Sequence, residues 1–313
     1  MNILLTGATG FVGSRLAETL NDKSDIDLTC AVRRFGAAGS GREVVVRGLE
    51  AETSWSDALA DQQVVIHAAA RAHIIKDEVS DPLAEYRRVN VEGTLNLARQ
   101  AAESGAKRFV FISSIGVNGN INNRPFTEDD EPHPAEPYAQ SKLEAELGLW
   151  AIAREAGMEV TFIRPPLVYG HNAPGNFGSL VKWVGKGVPL PLGSINNRRS
   201  LVALDNLVDL IITCVDHPAA ANQVFLVADG KDLSTTELLQ GVGRAMNKPA
   251  RLIPVPANML MFGASLLGKK AVAQRLLGSL QVDISKTRNL LSWEPPLSVD
   301  EGLRRCFLSE NRF

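Results

Sequence analysis

Tyr138 and Lys142, four residues apart in the run YAQSK, form the first pair in this chain whose types and spacing could do chemistry. On a helix that spacing puts both on one face. An isolated phenol titrates at about 10 and is a poor base at neutral pH. An ammonium beside it favours the phenolate, so the pair could exchange a proton with a substrate oxygen. Ser114, at the end of the apolar run RFVFISS, could hydrogen-bond that same oxygen. A Tyr–xxx–Lys pair often arises on helices by chance. Its weight here comes from standing beyond a serine-ended strand and a glycine-rich loop.

That loop lies at the start of the chain, in NILLTGATGFVG from Asn2 to Gly13. Ile3 to Leu5 form an apolar run that leads into Gly7, Gly10 and Gly13, and an amphipathic run from Arg15 to Leu20 follows. The pattern reads as a buried strand, a tight turn and a helix N-terminus aimed at a pyrophosphate. Thr9, Phe11 and Val12, between the glycines, belong to the same cradle. The bland alternative is an ordinary glycine-rich strand-to-helix turn.

The second apolar run, LTCAV, ends in Val32 and is followed by Arg33 and Arg34. An acid there would accept hydrogen bonds from an adenosine ribose. Two guanidiniums suit a 2′-phosphate instead, which favours NADP(H) and leaves NAD(H) open. Two arginines solvating a loop would look the same. The fourth run ends in His67-Ala68-Ala69-Ala70. Ala68 and Ala69 are small enough for a cofactor to lie against the backbone, and His67 reads as a core histidine rather than a catalyst. The five histidines (67, 73, 133, 171, 217) lack metal-ligand spacing, so no metal site is expected.

Strands over 3–5, 28–32, 43–46, 64–69, 108–113 and 159–164 must position these residues, with helices over about 83–104 and from Tyr138 onward. The alternation of near-continuous apolar strands with helices predicts an α/β fold with a doubly wound parallel sheet. A further strand over 224–228 would return to it. Domains are expected at 1–165 plus about 205–229 for the nucleotide, and at 166–204 plus 230–313 for a smaller, mostly helical substrate-binding part.

The bulk numbers exclude some partners. A net charge of -2 over 313 residues gives no global pull toward nucleic acid or an anionic membrane. Three isolated cysteines suit a reducing cytoplasm. A strand starting at residue 2 leaves no room for a leader. Met259 to Leu267 (MLMFGASLL) is too short to span a bilayer and reads as a core-facing or lid helix, so no stable membrane insertion is expected. A peripheral membrane contact has no further support in the sequence.

GATGFVG, HAAA, NVEGT around Asn90, ISSIGVNG and YAQSK, in this order, resemble the extended short-chain dehydrogenase/reductase family, whose sheet is of the Rossmann type. RPPLVYG, PLG, RRSLVALDNL and LLSWEPP resemble its UDP-glucose 4-epimerase-like branch, the NAD-dependent epimerase/dehydratase family. Within it the chain looks closest to reductases of UDP-4-keto-6-deoxy-N-acetylhexosamines, which serve surface polysaccharide synthesis. The resemblance implies that Tyr138 is the acid/base at sugar C4, that Lys142 binds the nicotinamide ribose, and that Ser114 orients the substrate oxygen. It places Asn90 in a supporting shell counted with the cofactor residues, as is Pro165. It brings the Asn176-Phe177 backbone and Arg199 to the nucleotide diphosphate. It also implies a homodimer pairing through the helices over 83–104 and 138–156.

Two departures matter. Ile115 and Gly116 stand where the family's dehydratases carry an Asp-Glu pair, so water elimination is not expected. The missing acid after the second strand tilts the reading toward an NADPH-dependent 4-ketoreductase. A UDP-hexose 4-epimerase with bound NAD is the alternative. A dihydroflavonol- or steroid-type reductase and a non-enzymatic cofactor sensor stand further off.

Overall fold

The computed structural model describes residues 1–72 and 81–308; His73 lies outside them. Among the described residues the strands are β1 (Asn2–Thr6), β2 (Asp27–Val32), β3 (Arg42–Val45), β4 (Val64–His67), β5 (Arg108–Ile112), β6 (Glu159–Arg164), β7 (Leu167–Tyr169), β8 (Leu201–Ala203) and β9 (Gln223–Leu226). Seven of them form one sheet in the order β3-β2-β1-β4-β5-β6-β9, every pair parallel. This is the doubly wound, Rossmann-type arrangement expected from the sequence. The strand order reverses between β1 and β4, where ligands of open α/β sheets gather beyond the carboxyl ends.

Alternating side chains divide the sheet between two cores. Ile3, Leu5, Ile66 and Val110 pack with Leu16 and Leu20 of helix α1 (Phe11–Asn21) and with the later helix over 204–216. Leu4, Val65, Phe109 and Phe111 take the opposite face. Burial on both faces is why these strands are apolar without alternation. The short α2 (Ser56–Leu59) covers the second face together with the long helices that follow β4 and β5.

The helix expected over 83–104 is three joined pieces. Asp81 caps α3 (Pro82–Tyr86), accepting from the Leu83 and Ala84 amides at 3.0 and 3.1 Å. A π-helical turn (Arg87–Gly93) then passes into α4 (Thr94–Glu103), and Gly105 leaves it at φ +83°. The widened turn holds Asn90 in the interior and presses Gly93 on the Leu49 carbonyl, where a Cβ would lie 2.4 Å from the oxygen. Wide turns of this kind tend to occur at functional sites. Helix α5 (Pro137–Ala156) packs against α4 and ends at Gly157 in the left-handed conformation.

After β6 the chain builds a second, smaller core. β7 and β8 form a separate parallel pair, missed in the sequence because each is three residues long. Helices α6 (Gly175–Gly185), α7 (Leu204–Asp216), α8 (Thr235–Ala245), α9 (Ala257–Leu266), α10 (Lys270–Leu277), α11 (Ser285–Leu291) and α12 (Val299–Arg305) follow among the described residues. Tyr169, Phe177, Leu180, Leu239 and Leu303 form the centre of this core. Asp229, just past β9, ties it to the sheet. Its carboxylate accepts from the Tyr169 hydroxyl at 2.6 Å, the Ala203 amide at 2.8 Å and the Asn206 side chain at 2.7 Å. The helix expected over 259–267 as core-facing or a lid lies at the surface: Ala257 and Leu260 of α9 pack against this core, and no residue of α9 is fully buried.

A buried ion pair anchors α5 to β6. The Arg164 guanidinium donates to both Glu146 oxygens at 3.0 and 2.5 Å and to Asn118 at 3.0 Å, while Ser113 donates to Glu146 at 2.5 Å. Removing one partner leaves an uncompensated buried charge. Arg164→Met should therefore lower unfolding free energy by about 3–5 kcal/mol, and Glu146→Leu added to it should recover much of the loss. Denaturant titration of the single and double variants checks this; an Arg164→Met protein as stable as wild type would contradict it.

Candidate active site

The glycine loop sits at the reversal point of the sheet, and its glycines are forced by contact. Gly7 turns at φ +77°, and a Cβ on it would lie 2.6 Å from the Ala69 nitrogen and 2.8 Å from the Ala68 carbonyl carbon. A Cβ on Gly13 would lie 2.0 Å from the Gly7 carbonyl oxygen. The Gly10 amide closes the turn on that oxygen at 2.8 Å. No side chain caps α1, so its first-turn N–H groups are free to meet an anion beside the exposed Thr9 and Gly10. Phe11 and Val12 open the helix half-buried. These residues fit a dinucleotide pyrophosphate: bare backbone, a helix N-terminus and no carboxylate in the first turn. A cavity of about 560 Å³ opens beside Gly10, Phe11 and Ser14 and is walled across by Gly170, Leu204 and Arg305. Ser114, Tyr138 and Lys142 do not line it, so it extends the loop end of the site rather than the acid/base end.

His67 is fully buried at the end of β4. Its Nδ1 is 2.7 Å from Thr6 Oγ1, its Nε2 is 2.9 Å from Thr94 Oγ1, and its ring stacks on Phe111. Burial, assisted by Lys142, pushes its pKa down to about 3, so it stays neutral and structural as the sequence implied. Asn90 is also spent on the protein. Its Oδ1 accepts from the Arg71 amide at 2.8 Å, and its Nδ2 donates to the Arg71 carbonyl and to Ser141 Oγ, both at 3.1 Å. Ser141 in turn donates to the Tyr138 carbonyl at 2.7 Å. Asn90 thus clamps the segment after β4 to the first turn of α5.

Tyr138 and Lys142 share one face of α5, with Lys142 Nζ 5.9 Å from the Tyr138 ring centroid. Lys142 is buried, stands 4.3 Å over the Phe111 ring, and donates to the Ile112 carbonyl at 2.8 Å. Ser114 follows β5 and accepts from the Gly116 amide at 3.1 Å. Gly116 in turn meets α5, where an added Cβ would stand 3.0 Å from Ala139 Cβ. The Pro165 carbonyl, beyond β6, holds the Ile115 amide at 3.0 Å, so Pro165 supports the Ser114 turn. Ile115 is buried with Leu226 and Leu280. An acid pair at 115 and 116 would thus face an apolar core and a crowded helix.

Burial pushes the Tyr138 hydroxyl up to about 12, with Tyr86 adding to the shift. Burial also pushes the Lys142 ammonium down to about 7, against the raising influence of Glu146. The cause is visible: Lys142 faces a carbonyl and a ring rather than a carboxylate, because Glu146 is committed to Arg164 and Ser113. Sequence reasoning missed Glu146, although it continues the Tyr138, Lys142 stripe at the same four-residue step.

The remaining expected residues are spread around the second core. Arg33 and Arg34 are exposed after β2 and form no ion pair among the described residues. Asn176 is exposed at the start of α6, and Phe177 is buried against Tyr169. Arg199 is half-buried. Its guanidinium donates to the Arg275 and Gly278 carbonyls at 2.7 and 3.1 Å and has no carboxylate partner among the described residues; burial lowers its pKa. Among the described residues no cluster could hold a metal ion, and the three cysteines are free and buried.

A Rossmann-type sheet with a bare pyrophosphate cradle and a Tyr–Lys pair beyond it defines a nucleotide-cofactor enzyme. The chain belongs to the NAD dependent epimerase/dehydratase family, whose description matches residues 3–228. It is 48% identical to a UDP-glucose 4-epimerase of Vibrio cholerae, covering 99% of this chain and 96% of that one. It is 31% identical to the N-acetyl-alpha-D-glucosaminyl-diphospho-ditrans,octacis-undecaprenol 4-epimerase of Escherichia coli O157:H7, covering 99% and 95%. Among solved structures it superposes on a Thermotoga maritima UDP-glucose 4-epimerase with UDP-glucose at a TM-score of 0.78 and 23% identity, covering 98% and 97%. A Bacillus cereus UDP-glucuronic acid 4-epimerase in complex with NAD gives 0.79 at 22% identity, covering 97% of each. These two support the fold. The expected closeness to 4-keto-6-deoxy sugar reductases and the preference for NADP(H) find no support among these relatives.

The lowered Lys142 makes stability depend on pH. Its ordinary pKa is about 10.4, so between about pH 7 and 10.4 the unfolded chain holds a proton that the folded one lacks. The stability lost to desolvating this ammonium is greatest below about pH 7 and is recovered as pH rises to 10.4. Lys142→Met should gain on wild type in a melting series at pH 6 and lose that advantage by pH 10. A difference that does not vary with pH would contradict the assignment.

Proposed function

We propose that the protein is a UDP-hexose 4-epimerase working with NAD. The observation that carries this reading over a 4-ketoreductase is the 48% identity, along nearly the whole of both chains, to a UDP-glucose 4-epimerase. The site is compatible with it: Tyr138 and Lys142 share one face of α5, Ser114 follows β5, and no acid stands at 115 or 116 to eliminate water.

Gly7, Gly10 and Gly13 hold the pyrophosphate against α1, and Ala68 and Ala69 leave room beside it. The bound dinucleotide supplies a hydride acceptor that also returns the hydride. Tyr138 takes the proton from the sugar C4 hydroxyl as the carbonyl forms and gives it back once the sugar has turned its other face. Ser114 hydrogen-bonds the same oxygen and holds it at the phenol. Lys142 binds the nicotinamide ribose, and its ammonium, with the cofactor's positive ring, lowers Tyr138 from about 12 toward the working range. Arg199, lacking a carboxylate, and the amides at the start of α6 near Asn176 and Phe177 receive the substrate diphosphate.

The division at 1–165 plus 205–229, against 166–204 plus 230–313, separates the cofactor part from the sugar part. A homodimer forms through α4 and α5, where Leu147 is 60% exposed on the outer face of α5.

Purified protein should interconvert UDP-glucose and UDP-galactose without added reductant and release NAD when denatured. Tyr138→Phe should lower kcat at least about a thousandfold while keeping the bound dinucleotide. Consumption of NADPH with a UDP-4-keto sugar, and no interconversion, would favour the reductase instead.

A further inference from the structure

The surface of α9 is at odds with a helix in water. Leu260 and Ala257 on its inner side pack against the second core. Its outer side is also apolar: Met259, Phe262 and Leu266, at steps of three and four residues, are 63%, 68% and 74% exposed, and Leu267 at its end is 74% exposed. A helix apolar all round belongs in a core or in lipid. Ten residues span about 15 Å, half a bilayer's hydrocarbon thickness. No helix among the described residues is long and apolar enough to cross a membrane.

The charge pattern around this helix says what covers it. Residues 160–204 and 238–282 contain none of the chain's 35 Asp and Glu but eleven of its 33 Lys and Arg. Three of the eleven, Arg164, Arg244 and Arg275, are paired with Glu146, Asp300 and Glu136. Lys182, Lys186, Lys248, Arg251, Lys269 and Lys270 are exposed and have no ion-pair partner among the described residues. Lys269 and Lys270 follow α9 directly. Leu190 exchanges backbone hydrogen bonds with Arg251 and Ile253, both at 2.8 Å, which ties the 188–193 loop to the segment leading into α9. Val188 and Ile253 there, and Trp183 near the end of α6, are exposed. An apolar helix face followed by two lysines, on a segment tied to further unpaired cations, is what an anionic lipid surface binds.

We infer that α9 and the cations around it form a docking surface for an anionic lipid bilayer. The helix lies in the plane of the headgroups with Met259, Phe262 and Leu266 turned into the acyl boundary. The inference is independent of which sugar is processed, and its test does not use activity.

Sedimentation of the full-length protein with vesicles tests it. Equimolar phosphatidylcholine and phosphatidylglycerol should bring the protein down, and phosphatidylcholine alone should not. A Met259→Ser, Phe262→Ser, Leu266→Ser variant that melts like wild type should partition at least about tenfold more weakly. Lys269→Ser with Lys270→Ser should weaken binding and flatten its salt dependence. Failure of wild type to sediment with anionic vesicles would overturn the inference, as would binding indifferent to the triple substitution. Light scattering in which the triple variant alone loses a dimer, with no vesicle binding by wild type, would assign the face to a second copy of the chain.

Discussion

One close backbone approach governs the site. The Gly7 carbonyl oxygen lies where a Gly13 side chain would be, and Gly7 itself lies against the backbone of Ala68 and Ala69. The end of β1, the start of α1 and the segment after β4 can meet only because Gly7 and Gly13 carry no side chain. Their meeting leaves the first N–H groups of α1 uncapped at the point where the strand order reverses. Everything that could act on a ligand is then arranged around that anion-binding corner. β5 and β6 deliver Ser114 and Pro165 on one side, and the second core closes from the other.

A second constraint runs along α5. Tyr138, Lys142 and Glu146 succeed one another at four-residue steps, from the partly exposed mouth to the buried ion pair. Because Arg164 and Ser113 satisfy Glu146, Lys142 has no carboxylate of its own, and desolvation sets its behaviour. The phenol and the ammonium are therefore both held away from their charged forms by the protein alone. A positive charge brought beside this pair would favour the phenolate and further disfavour the ammonium.

The sheet was legible because parallel strands covered on both faces must be apolar throughout, and such runs stand out between glycines. The glycine triplet and the Tyr138, Lys142 spacing were legible for the same reason: each is imposed by local geometry. What depends on distant packing was not. The π turn follows from Asn90 reaching both Arg71 and Ser141, a coincidence no local pattern records. Three-residue strands such as β7 and β8 give too short a run to stand apart from loops. Apolar content left α9 as a core-facing or lid helix, and only the structure shows its outer side turned to solvent. The burial that raises the Tyr138 pKa was not legible, because spacing tells which groups are near and not how dry they are.

The central claim is that the corner holds a dinucleotide which removes and returns one hydrogen at sugar C4 while Tyr138 handles the proton. Nuclear magnetic resonance of UDP-glucose incubated with the protein in deuterium oxide tests it most directly. UDP-galactose should appear with its original hydrogen still on C4, without added reductant. Deuterium at C4, or turnover only when NADPH is supplied, would contradict the account.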